Sequence, residues 1–221
     1  MCGRYVQSSP ADALAARFGA RLPEGLAWTP RWNVAPSTPA LVVRDEPEGA
    51  ALALLSWGLV PSWAKDDAGL RPINARAEGI AGKPMFRDAL KRRRALVPAD
   101  GFYEWKAEGK AKTPWHFRLA GGAPFAFAGI WERRERPGEE PLETFALLTT
   151  EANALVREVH ARMPVILDAE SEALWRRAGA LAPGELERCV RPYEAAAMEA
   201  WPVSTWVNSP SREGPRCVDR G

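Results

Sequence analysis

Short apolar runs recur along the chain, each ended by charged residues, proline or glycine. "ALVVRD" (40–45) and "ALALLSWGLV" (51–60) read as strands. So do "ALVPADGFYEW" (95–105), "TPWHFRL" (113–119), "PFAFAGIWERR" (124–134) and "TFALLTT" (144–150). "MPVIL" (163–167) is a shorter strand and "WPVSTWV" (201–207) a last one. Helical spacing appears first over Ser9–Phe18: Ser9 is placed to cap, Pro10 to open the first turn, Leu14 and Phe18 share a face, and Gly19 stops it. A second helix is predicted over 84–94 and a third from a Thr150 cap through "EANALVREVH", with Leu155, Val156 and Val159 inward. Two more are predicted over 168–178 and 184–191. The proline- and tryptophan-rich stretch 23–39 and the stretch 61–76 read as loops. The tail, 209–221, reads as loosely ordered. Strands that do not alternate regularly with helices argue against a doubly wound parallel sheet. The predicted fold is one α+β domain with a mainly antiparallel, barrel-like sheet.

Composition narrows the class. With 221 residues, 46% of them hydrophobic, the chain is long enough to bury a core without disulfides or metals. No run of about 18 apolar residues predicts a membrane span, and no basic and apolar leader predicts secretion, so the expected compartment is the cytoplasm. Cys2, Cys189 and Cys217 are odd in number and far apart, which does not suit a disulfide framework. With no C-x-x-C pair and only His116 and His160, no metal site is expected. The net charge of +2 hides an asymmetry. Residues 71–94 hold eight basic side chains against Glu78 and Asp88, a local +6 that leaves −4 elsewhere. Such an excess suits a phosphate-bearing partner, or a solvated helix face around "KRRR" (91–94).

Four places carry candidate chemistry. Removal of Met1, which a small second side chain permits, turns Cys2 into a free 1,2-aminothiol. Its amine condenses with an aldehyde to an imine, and its thiol then closes a five-membered thiazolidine, a step driven by proximity. In "GFYEW" (101–105), strand alternation puts Phe102 and Glu104 on one face and Tyr103 and Trp105 on the other. An inward Glu104 is desolvated toward its neutral form and suited to moving protons. His160, in "HARMP" (160–164), falls at the negative end of the third predicted helix, a position suited to a general acid. In "PINAR" (72–76), Asn74 offers an amide that donates and accepts, with Arg76 on the same extended face. Trp63, flanked by the proline of "PSWAK" (61–65), is placed to stack or wedge.

Together, "MCGRY" (1–5), "WNVAP" (32–36), "WGLVPSWAK" (57–65), "INAR" (73–76), "GFYEW" (101–105), "HARMP" (160–164) and "PVSTWVN" (202–208) resemble the ordered motifs of the SRAP domain. That family was once proposed to be peptidases and is known for sensing abasic sites in single-stranded DNA. The resemblance implies a domain over 2–208 with a bifurcated sheet folded into a pseudo-barrel. It also implies a covalent cross-link to abasic DNA through Cys2, without cofactor or metal, by a protein acting as a monomer. On the matching motifs, Cys2 is the nucleophile, Asn74 positions the opened sugar or the cysteine, Glu104 is the proton shuttle, and His160 protonates the sugar ring oxygen. Arg4, Arg76 and Arg162 hold phosphates. Asn33, Pro36 and Trp63 line or wedge the strand, and Thr149 joins the pocket. One departure stands out: Ala64 follows Trp63 where some members carry a second tryptophan, which bears on strand separation at a junction and not on the covalent chemistry. Two other readings use the same residues. One is an amide-cleaving thiol hydrolase built on Cys2, Asn74 and His160; the other is a single-strand binder with no need of Cys2.

Overall fold

In the computed structural model, which describes residues 2–65 and 69–221, two sheets share one body. The smaller holds β1 (Tyr5–Gln7), β2 (Arg31–Val34), β7 (Gly101–Glu108), β8 (Ala111–Leu119) and β13 (Met198–Pro202), in the order β13-β8-β7-β1-β2. The larger holds β3 (Pro39–Glu46), β4 (Gly49–Trp57), β5 (Asn74–Arg76), β6 (Arg94–Ala99), β9 (Phe125–Arg134), β10 (Leu142–Glu151), β11 (Arg162–Pro164) and β12 (Ile166–Leu167). Its pairings run β10-β4-β3-β6-β9 and return from β9 to β10, so five strands close a ring. Most contacts are antiparallel, while β10 runs parallel to β4 and β5. The fold is a single α+β domain, as predicted.

Ring strands are buried on both faces, which is why their sequences read as nearly continuous apolar runs. One face, including Leu41, Val43, Leu96, Ala128 and Leu148, packs under α1 (Ala11–Phe18), α2 (Pro84–Arg92), α4 (Ala169–Arg176) and α5 (Pro183–Cys189). The other, including Val42, Trp57, Phe127, Phe145 and Leu147, meets Cys2, Tyr5, Phe102 and Phe117 from the smaller sheet. Tyr5 stands edge-on to both Trp57 and Phe127, 5.1 and 5.8 Å between centroids.

A polar stitch joins the sheets inside this apolar layer. Gln7, at the end of β1, is wholly buried. Its amide donates to the carbonyls of Leu41 (2.9 Å) and Pro98 (2.8 Å) and accepts from the Leu41 N–H (2.9 Å). The side chain thereby ties β1 to two ring strands.

Several sequence expectations are corrected. The run 95–105 is two strands in different sheets, broken at Asp100, whose carboxylate accepts from the Ser8 and Ser9 N–H groups and the Ser9 hydroxyl. Ser9 is therefore spent on Asp100 and does not cap α1, which starts after Pro10. The helix expected from Thr150 is a single turn, α3 (Ala154–Arg157), capped by Asn153, because Thr150 still belongs to β10. The strand expected over 201–207 gives way after Pro202 to a 3₁₀ turn, Thr205–Asn208. Strands β1 and β2 form where none was expected, and the loop 61–76, apart from residues 66–68 outside the described set, ends in β5. The tail is docked: Cys217 is buried, Val203 bridges Arg220, and Trp206 lies between the guanidinium groups of Arg212 and Arg216.

Gln7→Ala is expected to lower stability by about 2–4 kcal/mol, because it strands one donor and two acceptors in the core. Urea unfolding followed by fluorescence checks this; the midpoint should fall with little change in slope.

Candidate active site

The site grows from the start of β1. Cys2 is 0% exposed, packed in the layer between the sheets, and its thiol donates weakly to the Arg4 carbonyl at 3.5 Å. Burial pushes the thiol well above its ordinary pKa, and the nearby Glu104 carboxylate pushes it further. Two neighbours fix the backbone here. Tyr103 of β7 donates its N–H to the Arg4 carbonyl, and Asn74, opening β5, donates its amide to the Cys2 carbonyl at 2.7 Å. Among the described residues the Asn74 side-chain oxygen is buried without a hydrogen-bond partner, leaving it free to accept.

Strand β7 delivers Glu104 as alternation predicts, sharing a face with Phe102 while Tyr103 packs on the opposite side. Its side chain is 4% exposed, and its Oε1 lies 4.0 Å from His160 Nδ1. Burial raises its pKa, and His160 pulls it the other way. His160 follows α3; with only one helical turn before it, the helix dipole has little to offer, contrary to expectation. Backbone geometry orients the ring instead: the Arg162 N–H donates to Nδ1 at 3.0 Å, with the Arg162 carbonyl 3.1 Å away. A cleft of about 480 Å³ opens beside these groups, lined by Glu104, Trp105, Lys112, His160 and Asn208.

The remaining residues sort by what they touch. Arg4, half-buried, donates to Asn33 Oδ1 (3.2 Å) and the Val207 carbonyl (3.1 Å). Arg76 is exposed on β5, Pro36 half-buried in the turn after β2, and Trp63 65% exposed. Asn33 is wholly buried and its amide donates to the Val207, Ser209 and Arg212 carbonyls, so it shapes the tail. Thr149 is buried too, on β10, and accepts from Arg162 through both its carbonyl (2.7 Å) and its hydroxyl (3.3 Å). Arg162 is gripped by Glu78 in a two-pronged pair, 2.6 and 2.9 Å. Sequence reasoning missed Glu78, Lys112, Trp105 and Asn208 at the site. Only the last two had a signal, lying inside motifs already singled out.

Two basic features turn inward. Arg93 pairs with Glu132 at 2.7 Å, and buried Arg94 donates to the carbonyls of Leu90, Trp175 and Arg177, so half of "KRRR" serves the core. His116 is buried against Tyr103 and Trp201, burial lowering its pKa to about 3, and takes no part in the cleft.

A closed five-strand ring, joined to a second sheet with Cys2 buried in the layer between them, defines the structural class. The chain belongs to the SRAP family: residues 1–210 match the family described as SOS response associated peptidase (SRAP). It is 41% identical over 223 residues, 99% of each chain, to the abasic site processing protein YoqW of Bacillus subtilis. It is 32% identical to the abasic site processing protein HMCES of Gallus gallus, covering 99% of this chain and 77% of that one. A crystal structure of a Bacteroides thetaiotaomicron protein superposes over the full length of both chains, with a TM-score of 0.90 at 27% identity.

Burial sets a pH signature. Because folding raises the Glu104 pKa, its contribution to stability is complete below the unfolded value of about 4.3 and is lost as pH rises through the folded value. Glu104→Gln removes that loss. It should raise Tm at pH 8, with no gain near pH 4. Thermal unfolding at both pH values checks it.

Proposed function

We propose that the protein captures abasic sites in single-stranded DNA, acting as a monomer, by forming a thiazolidine with Cys2 once Met1, which lies outside the described residues, has been removed. The reading is supported by one observation above all: a buried cysteine at position 2 is bonded to an amide and lies near a buried carboxyl, which in turn faces a histidine. An abasic deoxyribose is mostly a closed hemiacetal. His160 gives a proton to the ring oxygen as the ring opens, freeing the C1′ aldehyde. Glu104 takes a proton from the Cys2 ammonium, and the neutral amine adds to C1′. Loss of water gives the imine. The thiol then adds to the same carbon, its proton passing to the former imine nitrogen, and the ring closes with no net oxidation or reduction.

Burial supports this order. A thiol held neutral is a poor first nucleophile but adds readily once the imine carbon sits next to it. The same fact weighs against an amide-cleaving thiol hydrolase, which needs thiolate in its first step. Asn74, with an unpartnered oxygen and an amide already on the Cys2 carbonyl, fixes the reacting terminus. Arg4, Arg76 and Arg162 would take phosphates flanking the lesion, with Trp63 and Pro36 against the strand. The relatives named abasic site processing proteins agree with this reading, and no cofactor enters it.

Incubation with single-stranded DNA carrying an abasic site should give a protein–DNA band on a denaturing gel, and intact DNA should give none. Intact-mass spectrometry should show loss of the methionine and gain of the oligonucleotide less one water. Cys2→Ala, or acetylation of the new terminus, should abolish the stable adduct; normal cross-linking by the acetylated protein would sink the aminothiol mechanism.

A further inference from the structure

Glu78 lies two residues past β5 and has no part in the chemistry above. It holds Arg162, two residues from His160 and already anchored for a ligand. Arg162 is fixed from behind by the Thr149 carbonyl and hydroxyl, and its side chain is 16% exposed. Glu78 meets its fork from the front with both oxygens, and the Glu78 side chain is 53% exposed. The guanidinium is therefore built in, and the carboxylate is the part that can leave. A guanidinium fork takes a carboxylate and a phosphate with the same two-pronged geometry.

We propose that Glu78 is a phosphate stand-in: it fills the fork of Arg162 in the free protein and must be displaced by the DNA backbone, so that it sets how weakly undamaged strands are held. The inference rests on the reading of Arg162 as a phosphate contact. Several features agree with it. The turn that carries Glu78 is tied independently, Lys83 Nζ lying 3.3 Å from both the Arg76 and the Glu78 carbonyls, so the backbone stays put when the carboxylate swings out. Arg162 also keeps Glu78 ionised, its hydrogen bonds holding the carboxyl below the ordinary range. The Glu78 side of the pair is half exposed, so a phosphate can reach the fork and compete for it in the same two-pronged geometry. A protein that captures its target covalently gains from a loose grip elsewhere: strands without a lesion are released, and the lesion is held by the bond.

The test is equilibrium binding to a single-stranded oligonucleotide without a lesion, by fluorescence anisotropy over a salt series, for native protein, Glu78→Gln, Arg162→Gln and the double variant. Glu78→Gln should bind about two- to fivefold tighter at low salt. Its plot of log K against log salt should keep the native slope, since the same phosphates are neutralised in both complexes. In the Arg162→Gln background the gain should disappear. Unchanged or weaker binding by Glu78→Gln overturns the proposal and makes Glu78 an orienting partner of Arg162. A gain that survives in the double variant overturns it as well, since the effect is then one of overall charge. Cross-linking of abasic DNA by the native protein is scored separately, so failure of the capture mechanism is distinguishable from failure of the stand-in.

Discussion

The amide of Gln7 is the contact on which the rest depends. A chain terminus ordinarily frays, because few contacts offset the entropy of ordering it. Here β1 lies inside a sheet, between β2 and β7, and Gln7 fastens it to two strands of the ring with three hydrogen bonds. A buried amide that satisfies every partner costs little and tolerates only one register. A slip of β1 by one residue would turn Tyr5 out of its place against Trp57 and Phe127 and lift Cys2 away from Asn74. The position of the reactive residue is thus decided five residues downstream of it.

That rigidity allows an electrostatic arrangement that a flexible terminus does not sustain. Cys2 and Glu104 are both buried, and each makes ionisation of the thiol harder. Burial of an acid beside a thiol usually serves no purpose, since it suppresses the nucleophile. It is consistent once the amine is the first nucleophile: the carboxyl serves the amine, and the thiol is needed only after the carbon is attached next door. His160, set by the Arg162 backbone and not by a helix dipole, stands at the other side of the same carboxyl. The Arg162 residue therefore has two functions: its backbone orients the histidine, and its side chain meets Glu78.

Continuous apolar runs made the ring strands legible and period-two alternation the facing of Glu104, because both depend on residues adjacent in sequence. Errors arose where a distant partner decided the outcome. Asp100 breaks the 95–105 run by collecting Ser8 and Ser9, ninety or so residues away in sequence, and takes the intended helix cap with it. Gly101 then fits only because a β-carbon there would fall 2.2 Å from His116 Nε2. Thr150 is a plausible cap, but β10 continues through it to pair with β11. The tail looked loose because it is short and polar; Asn33, Glu213 on the edge of β2, and two arginine–tryptophan stacks hold it. Asn33 lies in "WNVAP" as an organiser of the tail.

Arginine shows why charge runs mislead. The basic excess over 71–94 suggested a phosphate-binding stretch, yet Arg94 is spent on buried carbonyls and Arg93 on Glu132. Arg162, a lone cation inside "HARMP", is held by a partner of another kind. What separates them is the nature of the partner. The carbonyls at the ends of α2 and α4 cannot withdraw without unfolding, so Arg94 is committed. The Glu78 carboxylate is half exposed on a separately anchored turn, so on the proposed reading it can withdraw and leave Arg162 to a phosphate. Charge in the sequence counts both alike. Availability follows from how firmly each partner is held.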